Sequence, residues 1–327
     1  MSEIPATKRF QARIHHGLIP AVPVPFRADA RIDAAAQERY AAYMSRQPVA
    51  GVAVWAHTGR GLHLSRDQRR QVLTCWRNAL GAAKVVVAGV GGSPRCVGDA
   101  PEFVASALDM AQDAVAGGAD ALLVHPPSPF RQVPRSEDLI FDYHQRLASA
   151  GAPLILFYLY EAAGGISYSP ELLRRLLALP EVAGIKLATL DSVVTFQDIA
   201  RQLAAEFPDK LLITGEDRFL GYSLMCGAHT ALIGMGAAST ELQYNLLRSY
   251  FEGKSDEFLK ASRSVDCLAQ VLFVPPMEGY IRRMLWTLVH LGVLGREPAH
   301  DPWGPPLGDT EFQAIGTMLR TLGELGD

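Results

Sequence analysis

Lys186 closes the apolar run Val182-Ala183-Gly184-Ile185-Lys186. A lysine at the C-terminal end of a barrel strand stands where such barrels place their reacting groups. Burial there disfavours the ammonium and leaves some free amine, a nucleophile toward ketones, near neutral pH. The chain has only six lysines, and four of them fall at the chain start, at strand starts or on helix surfaces. The alternative for Lys186 is a side chain that snorkels to solvent or pairs with a carboxylate. Gly184, two positions earlier on the same face, is expected to leave room inside the barrel for a ligand.

Tyr158 ends the preceding apolar run, Leu154-Ile155-Leu156-Phe157-Tyr158. Neighbouring strand ends in a barrel are close, so its phenol is expected to stand over Lys186 and move protons to and from a carbinolamine. The alternative is a tyrosine that caps the core, as Phe157 and Tyr160 would. A third element is the turn Trp55-Ala56-His57-Thr58-Gly59-Arg60-Gly61. Its glycines allow backbone N–H groups to converge on an anion, and the Thr58 hydroxyl adds a donor for a carboxylate. His57, Thr58, Gly59 and, from the eighth strand, Leu232 form the expected substrate-binding set. A metal-based rival would use His57 and His125, ending strands two and four, with Glu216 and Asp217 after strand seven. No HxH or HxxxH spacing supports it, so neither a metal nor another cofactor is expected.

These residues need a frame that brings strand ends together. Eight short apolar runs supply it: Leu18–Val24, Gly51–Ala56, Val85–Val90, Ala121–His125, Leu154–Tyr158, Val182–Lys186, Leu211–Thr214 and Ala231–Gly234. Amphipathic stretches separate them, including Asp33–Met44, Ser65–Leu80, Pro101–Ala116, Ser136–Ala148, Pro170–Leu179, Ser192–Glu206 and Arg218–Met225. Strands apolar throughout need cover on both faces, which favours a parallel sheet. Eight such units define an α/β chain, a (β/α)8 TIM barrel with additional C-terminal helices. The barrel is assigned to residues 1–235 and a helical extension packed on it to 236–327.

Composition narrows the partners. The chain has 327 residues, 49% of them hydrophobic, and a formal charge of −3 with no long run of one sign, so neither a nucleic-acid nor a membrane surface is expected. Cysteines 75, 96, 226 and 267 form no CxxC pair, which suits a reducing compartment. The polar start and the lack of a membrane-length apolar stretch complete the expectation of a cytoplasmic protein.

Taken together, these motifs resemble the dihydrodipicolinate synthase and N-acetylneuraminate lyase family over nearly the whole chain. Gly184-Ile185-Lys186 is similar to the sequence around the family's Schiff-base lysine, and Tyr158 lies 28 residues before Lys186, the spacing of the family's tyrosine. Pro170 and Glu171 fit the pattern, as do Val87-Ala88-Gly89-Val90-Gly91, Gly117-Gly118-Ala119-Asp120 and Gly215-Glu216-Asp217. His57-Thr58-Gly59 resembles the end of the carboxylate loop. The resemblance implies a class I lyase or aldolase that holds pyruvate or a related 2-oxo acid as an imine on Lys186, assembled as a homodimer or homotetramer. The alternative is a family member that binds the 2-oxo acid without turning it over.

Three departures argue against dihydrodipicolinate synthesis itself. His57 and Arg60 replace a relay threonine and the loop acid, Pro126-Pro127-Ser128 replaces a Pro-Tyr-Tyr relay, and Ala163 replaces the arginine five residues after the tyrosine. They favour another electrophile or a sugar-acid-like substrate. His57 is then a candidate for the missing acid–base group, or a structural histidine. Arg60 and Arg131 are candidates for a distal anion, or surface salt bridges.

Overall fold

The computed structural model of the protein describes residues 4–96, 98–190 and 192–325, so the outer ends of the two expected segments, 1–3 and 326–327, lie outside the described residues. Eight parallel strands are present: β1 (Leu18–Pro20), β2 (Gly51–Val54), β3 (Val85–Val90), β4 (Ala121–Val124), β5 (Leu154–Leu159), β6 (Val182–Ala188), β7 (Leu211–Thr214) and β8 (Thr230–Ile233). They pair in the order β1-β8-β7-β6-β5-β4-β3-β2. The two edges meet through an Ala21–Ala53 bridge, with Ala50 N–H donating to Leu18 O at 2.9 Å and Val22 N–H to Ala53 O at 3.0 Å. The strands thus form the (β/α)8 barrel.

Helix α1 (Ala6–Ile14) precedes the barrel. Between strands run α2 (Ala34–Ser45), α3 (Arg66–Leu80), α4 (Ala100–Ala116), α5 (Ser136–Ala148), α6 (Pro170–Leu177), α7 (Val193–Glu206) and α8 (Leu220–Met225). After β8 come α9 (Thr240–Phe251), α10 (Ser255–Leu272), α11 (Tyr280–His290) and α12 (Asp309–Thr321). Side-chain oxygens of Asp33, Ser65, Asp99, Ser169 and Ser192 cap α2, α3, α4, α6 and α7, satisfying N–H groups that a helix start leaves unpaired. None of the described helices is long and apolar enough to cross a membrane.

Strand residues alternate between two apolar layers. Ile19, Ala53, Val87, Leu123, Ile155 and Ile213 fill the barrel, while Leu18, Val52, Val86, Leu122, Leu156 and Leu212 pack under the helices. Helix α1, which the sequence reading did not anticipate, plugs the N-terminal end. Its Phe10 and Ile14 join the inner layer, and Gln11 donates to the Ala183 and Asp209 carbonyls at 2.8 Å each.

One irregularity sets the direction of Lys186. Leu154 pairs with Val182 but Ile155 pairs with Gly184, so β6 carries an extra residue at this bulge. Ala183 still faces inward, and beyond the bulge the inward positions are Lys186 and Ala188, with Ile185 and Leu187 in the outer layer. Gly184 serves packing: a Cβ there would lie 2.2 Å from the Leu211 carbonyl oxygen of β7. The expectation that Gly184 clears space for a ligand is corrected, because its bare Cα is required by a neighbouring strand.

Helix α10 packs on α9, α8 and α12, and α11 on α12. The link between α10 and α11 is gathered by Arg283, fully buried, whose guanidinium donates to the carbonyls of Leu272, Val274 and Pro276 at 3.3, 2.8 and 3.2 Å and to Glu311 at 2.7 Å. That link crosses the C-terminal mouth of the barrel and carries Phe273 and, at its end, Tyr280 into the space above Lys186.

Candidate active site

At this mouth Lys186 is 6% exposed, and its Nζ lies 4.3 Å from the centre of the Phe157 ring. The pairing register places Phe157 opposite Lys186, so both point into the barrel. Gly215 lets the lysine lie across the end of β7, since a Cβ there would meet Lys186 Cε at 2.5 Å. The cleft has an empty volume of about 500 Å³ including its open side, and its walls include His57, Thr58, Tyr160, Asp217, Phe273 and Tyr280.

Burial pushes the Lys186 ammonium down to about 8, against the pull of the carboxylates Asp217 and Glu216. Burial likewise raises Asp217, although N–H groups of Met235 at 2.7 Å and Gly234 at 3.3 Å favour its charged form. Glu216 is pushed up to about 7 by burial, opposed by the Thr189 N–H and hydroxyl at 2.5 and 3.0 Å and the Leu190 N–H at 3.1 Å. A buried amine and a nearby buried acid are thus poised to exchange a proton near neutral pH.

The opposite wall is a polar chain. The Tyr280 hydroxyl lies 3.0 Å from His57 Nδ1 and 3.1 Å from Thr58 Oγ1. His57 Nε2 faces Glu278 Oε1 at 3.5 Å. Arg60, itself buried, donates to Glu278 at 2.8 Å and grips Asp301 with Nη2 at 2.6 Å and Nε at 3.1 Å. Burial, then the positive charges of Arg60 and Lys186, pushes His57 down to about 3, so its imidazole is neutral. Burial keeps the Tyr280 phenol protonated. The turn between these residues holds Trp55 at φ +57° and Arg60 at φ +53°, left-handed conformations uncommon for side chains of this size. They are fixed by a hydrogen bond from Trp55 Nε1 to Arg69 O at 3.0 Å and by the Arg60 ion pairs.

Several sequence expectations are corrected. Tyr158 pairs with Leu187, whose side chain belongs to the outer layer, and its hydroxyl lies 3.4 Å from Ser167 Oγ; it does not line the Lys186 cleft. The strand's two-residue period decides this, because Phe157 and Lys186 share the inner face. Leu232 is fully buried in the inner layer and does not line the cleft. The Gly59 and Gly61 N–H groups both donate to Ala56 O within the turn, and Gly59 is likewise absent from the wall. His57 and Thr58 do reach the cleft. Arg131 forms an exposed pair with Glu161 at 3.1 Å, whereas Arg60 is buried between two carboxylates. Among the described residues no group of three or more His, Cys, Asp or Glu side chains is gathered as a metal would require.

The residues missed by the sequence reading are Tyr280, Glu278, Phe273 and Asp301, all from the C-terminal extension. In sequence Tyr280 opens an amphipathic helix and reads as one more apolar-face aromatic. The only signal near it is the Pro275-Pro276 pair, which marks the link that brings it over the barrel.

Comparison with known proteins gives the family of this barrel. The model of the dihydrodipicolinate synthetase family matches residues 15–316. An uncharacterized DapA-like lyase of Thermococcus kodakarensis is 27% identical over 256 residues, 78% of this chain and 82% of the relative. A probable mitochondrial 4-hydroxy-2-oxoglutarate aldolase of Emericella nidulans is 26% identical over 253 residues, 76% of this chain and 79% of the relative. A prophage protein of the dihydrodipicolinic acid synthase family from E. coli K12, solved in complex with pyruvate, shares the fold with a TM-score of 0.79 at 20% identity, covering 94% of this chain and 98% of that one. The chain belongs to the dihydrodipicolinate synthetase family and is an enzyme of the lyase class.

Proposed function

We propose that this enzyme is a class I lyase or aldolase that holds pyruvate or a closely related 2-oxo acid as an imine on Lys186. The observation that carries the reading is the buried, depressed amine on β6, two residues before the strand ends, in a cleft with room for a small acid. Relatives named as a DapA-like lyase and a 4-hydroxy-2-oxoglutarate aldolase, and a structural neighbour that binds pyruvate, support the same chemistry.

In this mechanism the neutral amine adds to the ketone carbon, and Asp217 takes the proton lost by the ammonium. The Thr58 hydroxyl holds the substrate carboxylate. The carbinolamine oxygen leaves as water after taking a proton from the Tyr280 hydroxyl, which His57 and Glu278 back on its far side, an arrangement of donor, imidazole and carboxylate familiar from other proton relays. The iminium then draws electrons from the adjacent carbon, so a C–C bond breaks or forms through the enamine. Assembly as a homodimer or homotetramer is part of the reading, and sedimentation measures it.

Borohydride reduction in the presence of pyruvate tests it: a covalent mass gain on Lys186 is expected. Lys186→Arg abolishes the gain and lowers turnover by about 10,000-fold or more, the scale of losing a covalent nucleophile. Because the reacting amine is the neutral form, kcat/KM rises as pH climbs through about 8, and His57, neutral throughout, adds no inflection near its ordinary value. Turnover that survives Lys186→Arg refutes the imine, and trapping without turnover of any 2-oxo acid points to a binding protein.

A further inference from the structure

We propose that the aldehyde half of the substrate is uncharged and apolar, an aryl or alkyl aldehyde, and that it occupies the pocket that adjoins the lysine cleft at His57. This inference rests on the Lys186 imine. The pocket shares His57 and Leu159 with the lysine cleft and has an empty volume of about 790 Å³ including its mouth. Its other walls include Leu62, Pro94, Phe103, Pro126 and Pro129. The Phe103 ring is fixed by Phe130 and Tyr143, at centroid distances of 5.6 and 5.9 Å. Such surfaces reward an apolar body and offer a polyol little, since Ser128 is the one hydroxyl side chain among the described lining residues.

Charge leads to the same substrate class. The one guanidinium among the described lining residues, that of Arg60, is already satisfied by Asp301 and Glu278. His57, His63 and His125 also line the pocket, and burial holds all three below the ordinary histidine range, so none brings a positive charge at neutral pH. Arg131 is held by Glu161 and does not line the pocket. A carboxylate or phosphate entering here would lose its hydration and gain no free cation.

The enamine carbon on Lys186 would attack the aldehyde carbon. The new C–C bond takes the enamine pair, the aldehyde oxygen takes a proton, and water hydrolyses the imine to release a 4-hydroxy-2-oxo acid and the free amine.

The test supplies pyruvate with benzaldehyde, glyceraldehyde or succinic semialdehyde and compares kcat/KM for the aldehyde. Benzaldehyde is expected to lead by at least about 100-fold, and Ala163→Arg, which adds a cation to the pocket wall, is expected to narrow the gap to succinic semialdehyde at least about tenfold. Any other ranking in the wild-type enzyme, including no turnover of benzaldehyde, overturns the proposal. Trapping of pyruvate on Lys186 without aldehyde is scored separately, so failure of the imine and failure of the apolar pocket are distinguishable.

Discussion

The two walls of the lysine cleft are built by different means. One is made of Phe157 and Lys186, whose directions are dictated by the parallel ladder, and of Gly215, Asp217 and Gly234 just beyond the ends of β7 and β8, where the Gly234 and Met235 N–H groups hold the Asp217 carboxylate. The other is made of Phe273 and Tyr280, backed by Glu278, residues of a helical segment that no ladder reaches. Two buried arginines do the ladder's work there: Arg283 gathers the carbonyls of the α10–α11 link, and Arg60 ties Glu278 and Asp301 to the β2 turn. A wall set by backbone pairing keeps its proposed nucleophile wherever the barrel forms. A wall set by side-chain ion pairs can be exchanged without disturbing the barrel, and here the proposed proton relay belongs to that exchangeable wall.

Substitutions on each wall sharpen the contrast. Tyr280→Phe deletes the hydroxyl that meets both His57 and Thr58, and kcat is expected to fall about 1,000-fold, within the usual range for a general acid–base group. Pyruvate affinity, read by titration, should change by less than about threefold, because the carboxylate is assigned to Thr58 and not to the phenol. A loss confined to affinity would make Tyr280 a binding group and remove the relay from the helical wall. Gly215→Ala acts on the strand wall: its Cβ would land 2.5 Å from Lys186 Cε and 2.8 Å from the Leu187 carbonyl oxygen. The lysine must shift, and a displacement near 1 Å costs about 100-fold in the rate of borohydride-trapped imine formation. An unchanged rate would show that this wall is not the rigid one.

Much of the strand wall was legible in the sequence. Val85–Val90 and Leu211–Thr214 were delimited as observed, and Lys186 stands out in the sequence by its place at the end of an apolar run. What the run did not reveal is direction. The bulge at Ala183–Gly184 shifts the alternation of β6 by one residue, and a bulge arises from pairing with β5 and the close approach of Leu211, contacts distant in sequence. The helical wall was illegible for a related reason. Glu278 and Tyr280 acquire their positions from Arg60, more than 200 residues earlier, and from Arg283, whose partners in the α10–α11 link are backbone carbonyls that carry no sequence signal. Helix α1 escaped because only Phe10, Gln11 and Ile14 of its nine residues are buried, too sparse a stripe to stand out.

Tyr158 gives the smallest effect and the sharpest comparison. Spacing places it 28 residues before Lys186, yet register turns its side chain toward the layer under the helices, edge-on to Tyr168 with ring centres 6.0 Å apart. Tyr158→Phe removes one long hydrogen bond to Ser167, so stability by urea denaturation should change by no more than about 1 kcal/mol and kcat by less than about twofold. Tyr280→Phe differs from it by the same single oxygen atom. If Tyr158→Phe instead loses activity by the factor expected of Tyr280→Phe, and Tyr280→Phe does not, the walls exchange roles: β5 must then rotate its phenol inward when the 2-oxo acid binds, and the relay would belong to the strands.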